Sequence, residues 1–361
     1  MKEKKSICFI AQFPPPINGL TKAVETLYNS NLNKEFEFNK IDIKDNRRIL
    51  ITLIRLIVNN SDLYYFTISQ TCGGNIRDLI IMNILKLKRK KLIIHLHGGY
   101  YRRLIDNEIS SIQKALNYKI IKKLDGAIVL GDSLRYIFNG LMEEEKIFVI
   151  PNCVDNEFVM DENELNLKLS TLNKEDIGIL YLSNFIESKG YKKVLQIAKQ
   201  IKELKIENIK FKFAGKFSNK NDEDEFNKYI MENELSNIVN YLGVITGEEK
   251  SRVLKESNLF ILLTNYPKEG QPISILEAMA NGMCIFTTNH AGIPDIITND
   301  INGYVFDSNN INIDKVIEKL IYINKNRDEM IEIARTNYSS IKNFYAEKMY
   351  LDNIKRLFEK I

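Results

Sequence analysis

Short apolar segments of four to six residues alternate with longer helix-like segments along the first half of this chain. Segments that are apolar throughout, and not only at every second residue, are typical of parallel strands covered by helices on both faces. The alternation therefore predicts an α/β fold with a parallel, doubly wound sheet. The predicted strands are residues 7–11, 63–67, 92–97, 126–130 and 147–150.

The alternation stops at Pro151-Asn152-Cys153-Val154-Asp155, continues as a polar stretch to Asp176, and then resumes. A chain of 361 residues is long enough for two domains, each with its own core. We predict a first domain at residues 1–157, a linker, and a second domain at 170–342. In such domains a ligand binds at the carboxyl ends of the strands. The second set of predicted strands is 179–182, 210–214, 259–263, 284–288 and 304–306, with a helix at 191–205.

The net charge of +4 is unevenly distributed. Residues 1–157 hold 24 Lys and Arg against 17 Asp and Glu, a charge of +7, whereas the remainder holds 27 against 30, a charge of −3. The positive charge is densest at residues 86–91. Nucleic acid is a poor partner because no helix-turn-helix, RNP or zinc pattern accompanies this charge. An anionic membrane surface, where each nearby cation contributes about 1 kcal/mol, and the C-terminal turn of a helix remain as interpretations.

Cysteines and apolar stretches bear on the cellular compartment. Cys8, Cys72, Cys153 and Cys284 form no CxxC or Cys/His cluster, which favours a reducing cytoplasm without structural zinc. No signal peptide precedes the first predicted strand, and the longest apolar stretch, 49–58, is far shorter than the ~20 residues that cross a bilayer. We therefore expect a cytoplasmic protein whose membrane association, if any, is peripheral on the inner face.

Residues 269–277, Glu-Gly-Gln-Pro-Ile-Ser-Ile-Leu-Glu, are the most informative about chemistry. Pro272 suits the first turn of a helix that ends at Asn281-Gly282. Because this helix is otherwise apolar on every face, we expect Glu277 to be buried, and no Lys or Arg lies within four positions of it. A buried unpaired carboxylate costs several kcal/mol, so Glu277 needs either ligand hydroxyls or a distant cation of the fold.

Glu269 lies in the loop before the same helix. The unpaired amides and partial positive charge of a helix N-terminus can hold a phosphate or a developing negative charge. The neighbouring Gly270 and Pro272 favour a binding site here. A solvated loop carboxylate is the alternative.

Glu269 and Glu277, separated by seven residues and continued as Ala278-Met279-Ala280-Asn281-Gly282, resemble the signature of retaining nucleotide-sugar glycosyltransferases of family 4. The resemblance implies the GT-B fold, in which two Rossmann-like domains face each other across a cleft and a last helix, here at about 343–361, crosses back onto the first domain. It implies a hexosyltransferase-type enzyme that takes a sugar from a UDP- or GDP-sugar with retention of configuration and needs no metal or other cofactor. The implied context is bacterial surface polysaccharide (capsule, exopolysaccharide or lipopolysaccharide), with a glycan or a polyprenyl-diphosphate-linked oligosaccharide as acceptor.

The resemblance also assigns roles to single residues. His97 would face the donor sugar, although a histidine at a strand end is by itself more often structural. Lys189 matches a cation that binds the diphosphate, whereas Asn184 stands where the family frequently has an arginine. His290 is assigned either a direct or a supporting role. The remaining predicted donor contacts are Gly19, which is the only glycine in the loop 14–21, the stretch Gly270, Gln271, Pro272 and Ile273, and, near the base, Gly215 and Val244.

In the mechanism that follows from the resemblance, Glu277 binds the ribose hydroxyls and Glu269 holds hydroxyls of the transferred sugar. Lys189, helped by helix amides, neutralises the departing diphosphate. Three alternatives are kept: a GT-B epimerase, a phosphorylase with a pyridoxal-phosphate lysine, and a non-catalytic module that binds a nucleotide sugar.

Overall fold

Two parallel six-stranded sheets form the framework of the protein in a computed structural model, which describes residues 4–15, 19–174 and 176–361. Each sheet is interleaved with helices, so the predicted two-domain α/β fold is confirmed. The chain divides into two units. The first contains Met1–Cys153, Lys268–Gln271 and Lys348–Ile361, and the second contains Val154–Pro267 and Pro272–Glu347.

The first unit has the strand order β2-β1-β3-β4-β5-β6. Its central strands are buried on both faces, as their apolar sequences predict. The strands are β1 (Ser6–Ala11), β2 (Glu37–Asp42), β3 (Leu63–Thr67), β4 (Lys91–His95), β5 (Gly126–Val129) and β6 (Ile147–Val149). The helices are α1 (Gly19–Tyr28), α2 (Ile49–Val58), α3 (Cys72–Leu87), α4 (Tyr101–Arg103) and α5 (Ser111–Ile121).

The second unit has the order β12-β11-β10-β7-β8-β9. Its strands are β7 (Ile177–Leu182), β8 (Ile209–Ala214), β9 (Val239–Tyr241), β10 (Leu259–Ile261), β11 (Cys284–Thr288) and β12 (Gly303–Phe306). Its helices are α6 (Glu162–Thr171), α7 (Tyr191–Glu203), α8 (Lys220–Glu232), α9 (Gly247–Lys255), α10 (Ile273–Ala280), α11 (Ile313–Lys325) and α12 (Arg327–Ser340).

The polar stretch interpreted as a linker instead contains helix α6. Leu165 and Leu169 of this helix are buried in the core of the second unit. Lys168 donates hydrogen bonds from Nζ to the carbonyl oxygens of Ser257 (2.5 Å) and Asn281 (2.7 Å). Leu165 and Leu169 lie four residues apart and therefore on the same face of the helix. Two apolar side chains on one face are sufficient to pack the helix against the core, so the rest of its sequence can be polar.

The last helix, α13 (Glu347–Lys360), belongs to the first unit from Lys348 onward, as predicted. Its side chains Tyr350, Ile354, Leu357 and Phe358 are buried in the core of that unit. The Phe358 ring lies 6.3 Å from the Phe9 ring, and the Phe358 carbonyl accepts a hydrogen bond from Lys5. The first strand and the last helix thus belong to the same unit.

No helix within the described residues combines the length and the apolar character needed to cross a membrane.

Candidate functional site

The four residues Lys268–Gln271 leave the second unit and pack onto the strand ends of the first. The Gly99 N–H, after β4, donates to the Glu269 carbonyl oxygen (2.5 Å), and Gln271 Nε2 donates to the Leu130 carbonyl, after β5 (3.2 Å). Asn152, after β6, donates from its backbone N–H to Gln271 Oε1 (2.7 Å) and from Nδ2 to the Gln271 carbonyl (2.9 Å). The acidic loop is therefore fixed at the carboxyl ends of three neighbouring strands.

Two glycines make this docking possible. A Cβ atom on Gly270 would lie 2.4 Å from the His97 carbonyl oxygen, and one on Gly98 would lie 2.6 Å from the Lys268 carbonyl oxygen. Real Cβ atoms do not approach backbone oxygens this closely, so any side chain at either position would push the two loops apart. The glycines place Glu269 directly beside the loop that carries His97.

Glu269 itself is buried, with 7% of the residue exposed. The alternative of a solvated loop carboxylate is therefore wrong. Gly270 and Gln271 are buried with it, and Pro272 lies just before Ile273, the first residue of α10. The predicted apolar helix is confirmed, because every residue of α10 from Ile275 to its end is buried.

His97 forms a stacked pair with His95, with ring centroids 3.9 Å apart. The Tyr65 hydroxyl is hydrogen-bonded to His95 Nδ1 (2.5 Å). The Nε2 atom of His97 is buried without a hydrogen-bond partner among the described residues. Burial lowers the pKa of His97 to about 4 and, with the neighbouring ring of His97, lowers the pKa of His95 well below its ordinary value. His97 is therefore a neutral imidazole at pH 7, in which one of the two ring nitrogens can accept a hydrogen bond.

The lowered pKa of His97 predicts a stability change with pH. In the unfolded chain the ring takes up a proton near its ordinary pKa of 6.5, but in the folded protein it does so only near 4. The unfolded state therefore binds more protons between these values, and stability falls as the pH falls through this window. We expect a loss of roughly 1–2 kcal/mol in unfolding free energy between pH 7 and pH 5 from this residue.

Denaturant unfolding at several pH values measures this contribution. The variant His97→Gln carries no titrating group at this position, so its stability should fall less between pH 7 and pH 5 than that of the wild type. Identical slopes for the two proteins would contradict the neutral, buried state of His97.

In the second unit, β7 and β10 are neighbours at the centre of the sheet. The strands β8 and β9 continue the sheet beyond β7, and β11 and β12 continue it beyond β10. Such a switch in strand order opens a crevice at the carboxyl ends of the two strands. Lys189 follows β7, and its Nζ lies 4.9 Å from the centroid of the Tyr266 ring, which follows β10. The His290 ring nitrogen Nε2 is hydrogen-bonded to the Tyr266 carbonyl (2.7 Å). Lys189 and His290 are thus brought to the same loop after β10.

Two further features shape this crevice. Gly190 has φ +86°, and a Cβ atom there would lie 2.3 Å from the Leu263 carbonyl oxygen, so only glycine allows the turn with Lys189 to reach the end of β10. Gly215 has φ +144°, and a Cβ atom there would lie 1.9 Å from the Ser183 carbonyl oxygen. The ends of β7 and β8 approach each other so closely that position 215 requires glycine, whether or not a ligand binds there.

The remaining predicted donor contacts are placed as follows. Asn184 is exposed after β7, and Val244 is exposed after β9 with 63% of the residue accessible. Gly19 opens helix α1 after β1, at the point where the strand order of the first sheet switches between β1 and β3. Residues 16–18 of the preceding loop lie outside the described residues.

Glu277 does not depend on a ligand for its partner. It is buried as predicted, but its Oε1 lies 2.6 Å from Lys250 Nζ, on helix α9. The Lys250 ammonium also lies 4.2 Å from the centroid of the Phe158 ring. The interpretation that ligand hydroxyls, and not a cation of the fold, compensate this carboxylate is therefore wrong. The fold supplies the cation from 27 positions upstream, beyond the reach of any local sequence pattern.

Sequence reasoning also missed Asn152, Tyr266 and Lys250 as parts of these sites. Asn152 falls in the segment interpreted as the start of a linker, and Tyr266 in a loop without a motif. Only their positions just beyond strands β6 and β10 could have drawn attention to them. No group of three His, Cys, Asp or Glu side chains within the described ranges is placed to hold a metal ion.

Comparison with known proteins agrees with this architecture. Residues 163–337 match the family model described as glycosyl transferases group 1. An uncharacterised glycosyltransferase of Methanocaldococcus jannaschii is 24% identical over 284 residues, which are 77% of this chain and 70% of that protein. The capsular polysaccharide biosynthesis glycosyltransferase CapM of Staphylococcus aureus is 24% identical over 64% of this chain and 60% of its own length.

Among solved structures, HepE of Anabaena in complex with UDP superposes with a TM-score of 0.77 at 14% identity, covering 99% of this chain and 100% of that chain. The same protein has also been solved in complex with UDP-glucose. The chain thus has the GT-B fold, and residues 163–337 of its second unit match the model of group 1 glycosyl transferases.

Proposed function

We propose that this chain is a glycosyltransferase that moves a hexose-type sugar from a nucleotide-sugar donor to a glycan or polyprenyl-diphosphate-linked acceptor, with retention of anomeric configuration and without a metal ion. The match of residues 163–337 to group 1 glycosyl transferases supports the reaction class. The similarity to a capsular polysaccharide glycosyltransferase supports a place in bacterial surface polysaccharide synthesis, and the UDP and UDP-glucose complexes of HepE support a nucleotide-sugar donor.

The observation that carries the proposal is the docking of Glu269 and Gly270 onto the loop of His97 and Gly98. It places the backbone of the buried Glu269 against the loop that carries His97, a neutral imidazole whose Nε2 has no partner among the described residues. Both side chains follow or adjoin carboxyl ends of parallel strands, where ligands of doubly wound sheets bind. A carboxylate and a neutral imidazole can both accept hydrogen bonds from the hydroxyls of a sugar.

In this proposal the bond between the anomeric carbon and the diphosphate oxygen breaks, and a bond to the acceptor oxygen forms on the same face. The acceptor proton passes to the departing phosphate oxygen. Glu269 holds hydroxyls of the transferred sugar and stabilises the positive charge that develops at the anomeric carbon. His97 orients the same sugar by a hydrogen bond.

The second unit is assigned the nucleotide end of the donor. Lys189, at the switch point of its sheet, neutralises the diphosphate together with the amides at the start of α10. Because Asn184 supplies no cation, these groups carry more of that task. Glu277 binds the ribose through a carboxylate that Lys250 holds in place, and Gly215 and Val244 lie against the base.

The proposal is tested by thermal unfolding in the presence of UDP-, GDP-, ADP-, dTDP- and CMP-sugars. A donor at 100 times its dissociation constant should stabilise the protein by about 2.7 kcal/mol, which raises the unfolding temperature by several degrees. The sugar that stabilises should then release its free nucleotide, slowly with water and faster with a lipid-linked oligosaccharide extract.

Three outcomes would contradict the proposal. Absence of stabilisation by every nucleotide sugar would remove the donor site. Binding without nucleotide release, even with the extract, would identify a non-catalytic module, and conversion of the sugar without release would identify an epimerase.

A further inference from the structure

Helix α2 is apolar on its outward face as well as on its inward face. Leu50, Ile51, Ile54, Ile57 and Val58 are 50–76% exposed, whereas the fully buried side chains of this helix are Thr52 and Leu56. Residues 50, 54, 57 and 58 share one side of a helix because they are spaced by three and four positions. A helix on the surface of a globular protein normally has a polar outward face, so this one is set up for contact with something other than water.

Two neighbouring helices extend the same surface. The connections β2–β3, β3–β4 and β4–β5 advance in one direction across the sheet, so the right-handed crossover rule places α2, α3 and α5 in one layer. Helix α3 packs against both others. Together these three helices carry ten of the eighteen large hydrophobic side chains that are exposed among the described residues, namely Leu50, Ile51, Ile54, Ile57, Val58, Ile76, Ile80, Leu87, Ile112 and Leu116.

The exposed charges of these three helices are all positive. Within the three helices, all of whose residues the structure describes, the only acidic residue is Asp78, which is fully buried against Arg77. Exposed cations lie within α2 and α5, just before α2 and just after α3 and α5: Arg47, Arg48, Arg55, Arg89, Lys119, Lys122 and Lys123. Asp45 pairs with Arg48 only at 3.7 Å, in a position where both side chains are exposed.

The cations densest in sequence serve the fold instead. Helix α3 ends at Leu87 and β4 begins at Lys91, so the interpretation of residues 86–91 as a helix C-terminus is confirmed. Lys86 pairs with Asp125 (2.8 Å), and Lys88 donates to the carbonyl oxygens of Leu56, Ile57 and Asn59 at the end of α2. Lys88 thereby fixes the C-terminus of the apolar helix against α3. The apolar face of α2 is therefore held in one position relative to α3.

From these observations we infer that the outward surface of α2, α3 and α5 docks onto an anionic lipid bilayer. The apolar side chains enter the boundary between headgroups and acyl chains, and the bordering arginines and lysines pair with lipid phosphates. A bilayer explains both an apolar surface spread over three helices and the lack of exposed carboxylates within these helices, all of whose residues the structure describes. A second copy of the chain that docked through the same surface would place like charges opposite each other.

Flotation with 100 nm vesicles tests this inference without donor or acceptor, so its result does not depend on the proposed enzyme activity. The wild-type protein should float with vesicles of phosphatidylglycerol and phosphatidylcholine, and much less with phosphatidylcholine alone. The triple variant Leu50→Gln/Ile54→Gln/Val58→Gln should bind at least tenfold more weakly. The variant Arg47→Gln/Arg48→Gln/Arg89→Gln should lose most of the difference between the two lipid compositions.

The matched control is Leu167→Gln/Leu204→Gln/Met231→Gln, which changes three comparably exposed apolar side chains of the second unit and should float like the wild type. Equal unfolding temperatures of all the variants will show that they fold. Flotation of the α2 variant at the wild-type level overturns the inference, as does equal binding of the wild type to both vesicle types. If the wild type ignores vesicles but forms a dimer that the α2 variant dissociates, the occupant is a second copy and the inference is wrong.

Discussion

Replacing Glu269 by glutamine should lower the rate of sugar transfer by about 10²- to 10³-fold, because the neutral amide no longer stabilises the positive charge that develops at the anomeric carbon. The change keeps the shape of a side chain whose neighbours, Gly270 and Gln271, are locked onto the first unit. The fold and the binding of the nucleotide end of the donor should therefore be preserved. Donor affinity should stay within about threefold of the wild-type value, since the lost interaction is made mainly in the transition state.

Single-turnover kinetics and calorimetric titration of the donor separate these two quantities. The control is Glu145→Gln, which removes one negative charge from an exposed position of the same unit and should not change either quantity. If Glu269→Gln binds the donor normally and turns over at the wild-type rate, the role assigned to this carboxylate is wrong. If it loses donor binding and turnover together, Glu269 acts in ground-state binding instead.

The sequence was most informative about the interior strands. β3 and β11 begin and end at the predicted residues, because segments such as Leu63–Thr67 and Cys284–Thr288 are apolar or β-branched throughout and lie between other strands. β2 and β9 were missed, and both are edge strands. Glu37–Asp42 contains Glu, Asn, Lys and Asp, and β9 has only three residues, so neither shows the continuous apolar run of a strand covered on both faces.

The candidate sites were predictable to a different degree. The position of a residue just after a strand was sufficient to place His97 and Lys189 at strand ends, because the topology of a doubly wound sheet fixes where such residues lie. The docking of Lys268–Gln271 onto the first unit was not predictable, because it depends on hydrogen bonds to Gly99, Leu130 and Asn152. The partner of Glu277 was likewise hidden, since long-range ion pairs have no spacing rule in sequence.

The second prediction concerns the buried ion pair between Lys250 and Glu277. Replacing Lys250 by methionine should lower the unfolding free energy by about 3 kcal/mol, because it leaves the Glu277 carboxylate without its cation in a buried position. Lys342→Met is the matched control. Its ammonium also lies 2.6 Å from a carboxylate of the second unit, that of Glu162, but both side chains are about half exposed or more. The control should cost less than about 1 kcal/mol, since solvent screens an exposed pair.

The double variant Lys250→Met/Glu277→Gln should recover much of the lost stability, because the buried charge is removed together with its partner. Chemical denaturation of the wild type, both single variants and the double variant yields the coupling energy of the pair. Equal costs for Lys250→Met and Lys342→Met would show that burial does not strengthen the pair.

Donor titration of the same four proteins separates structure from binding. If Glu277 binds the ribose, Glu277→Gln and the double variant should both lose donor affinity. The double variant should lose it even though we expect it to be more stable than Lys250→Met. Lys250→Met keeps the carboxylate and should therefore bind the donor better than Glu277→Gln at a temperature where both are folded. Donor affinity that instead follows stability across the four proteins would make the Lys250–Glu277 pair a structural feature of the second unit, with no part in recognising the nucleotide.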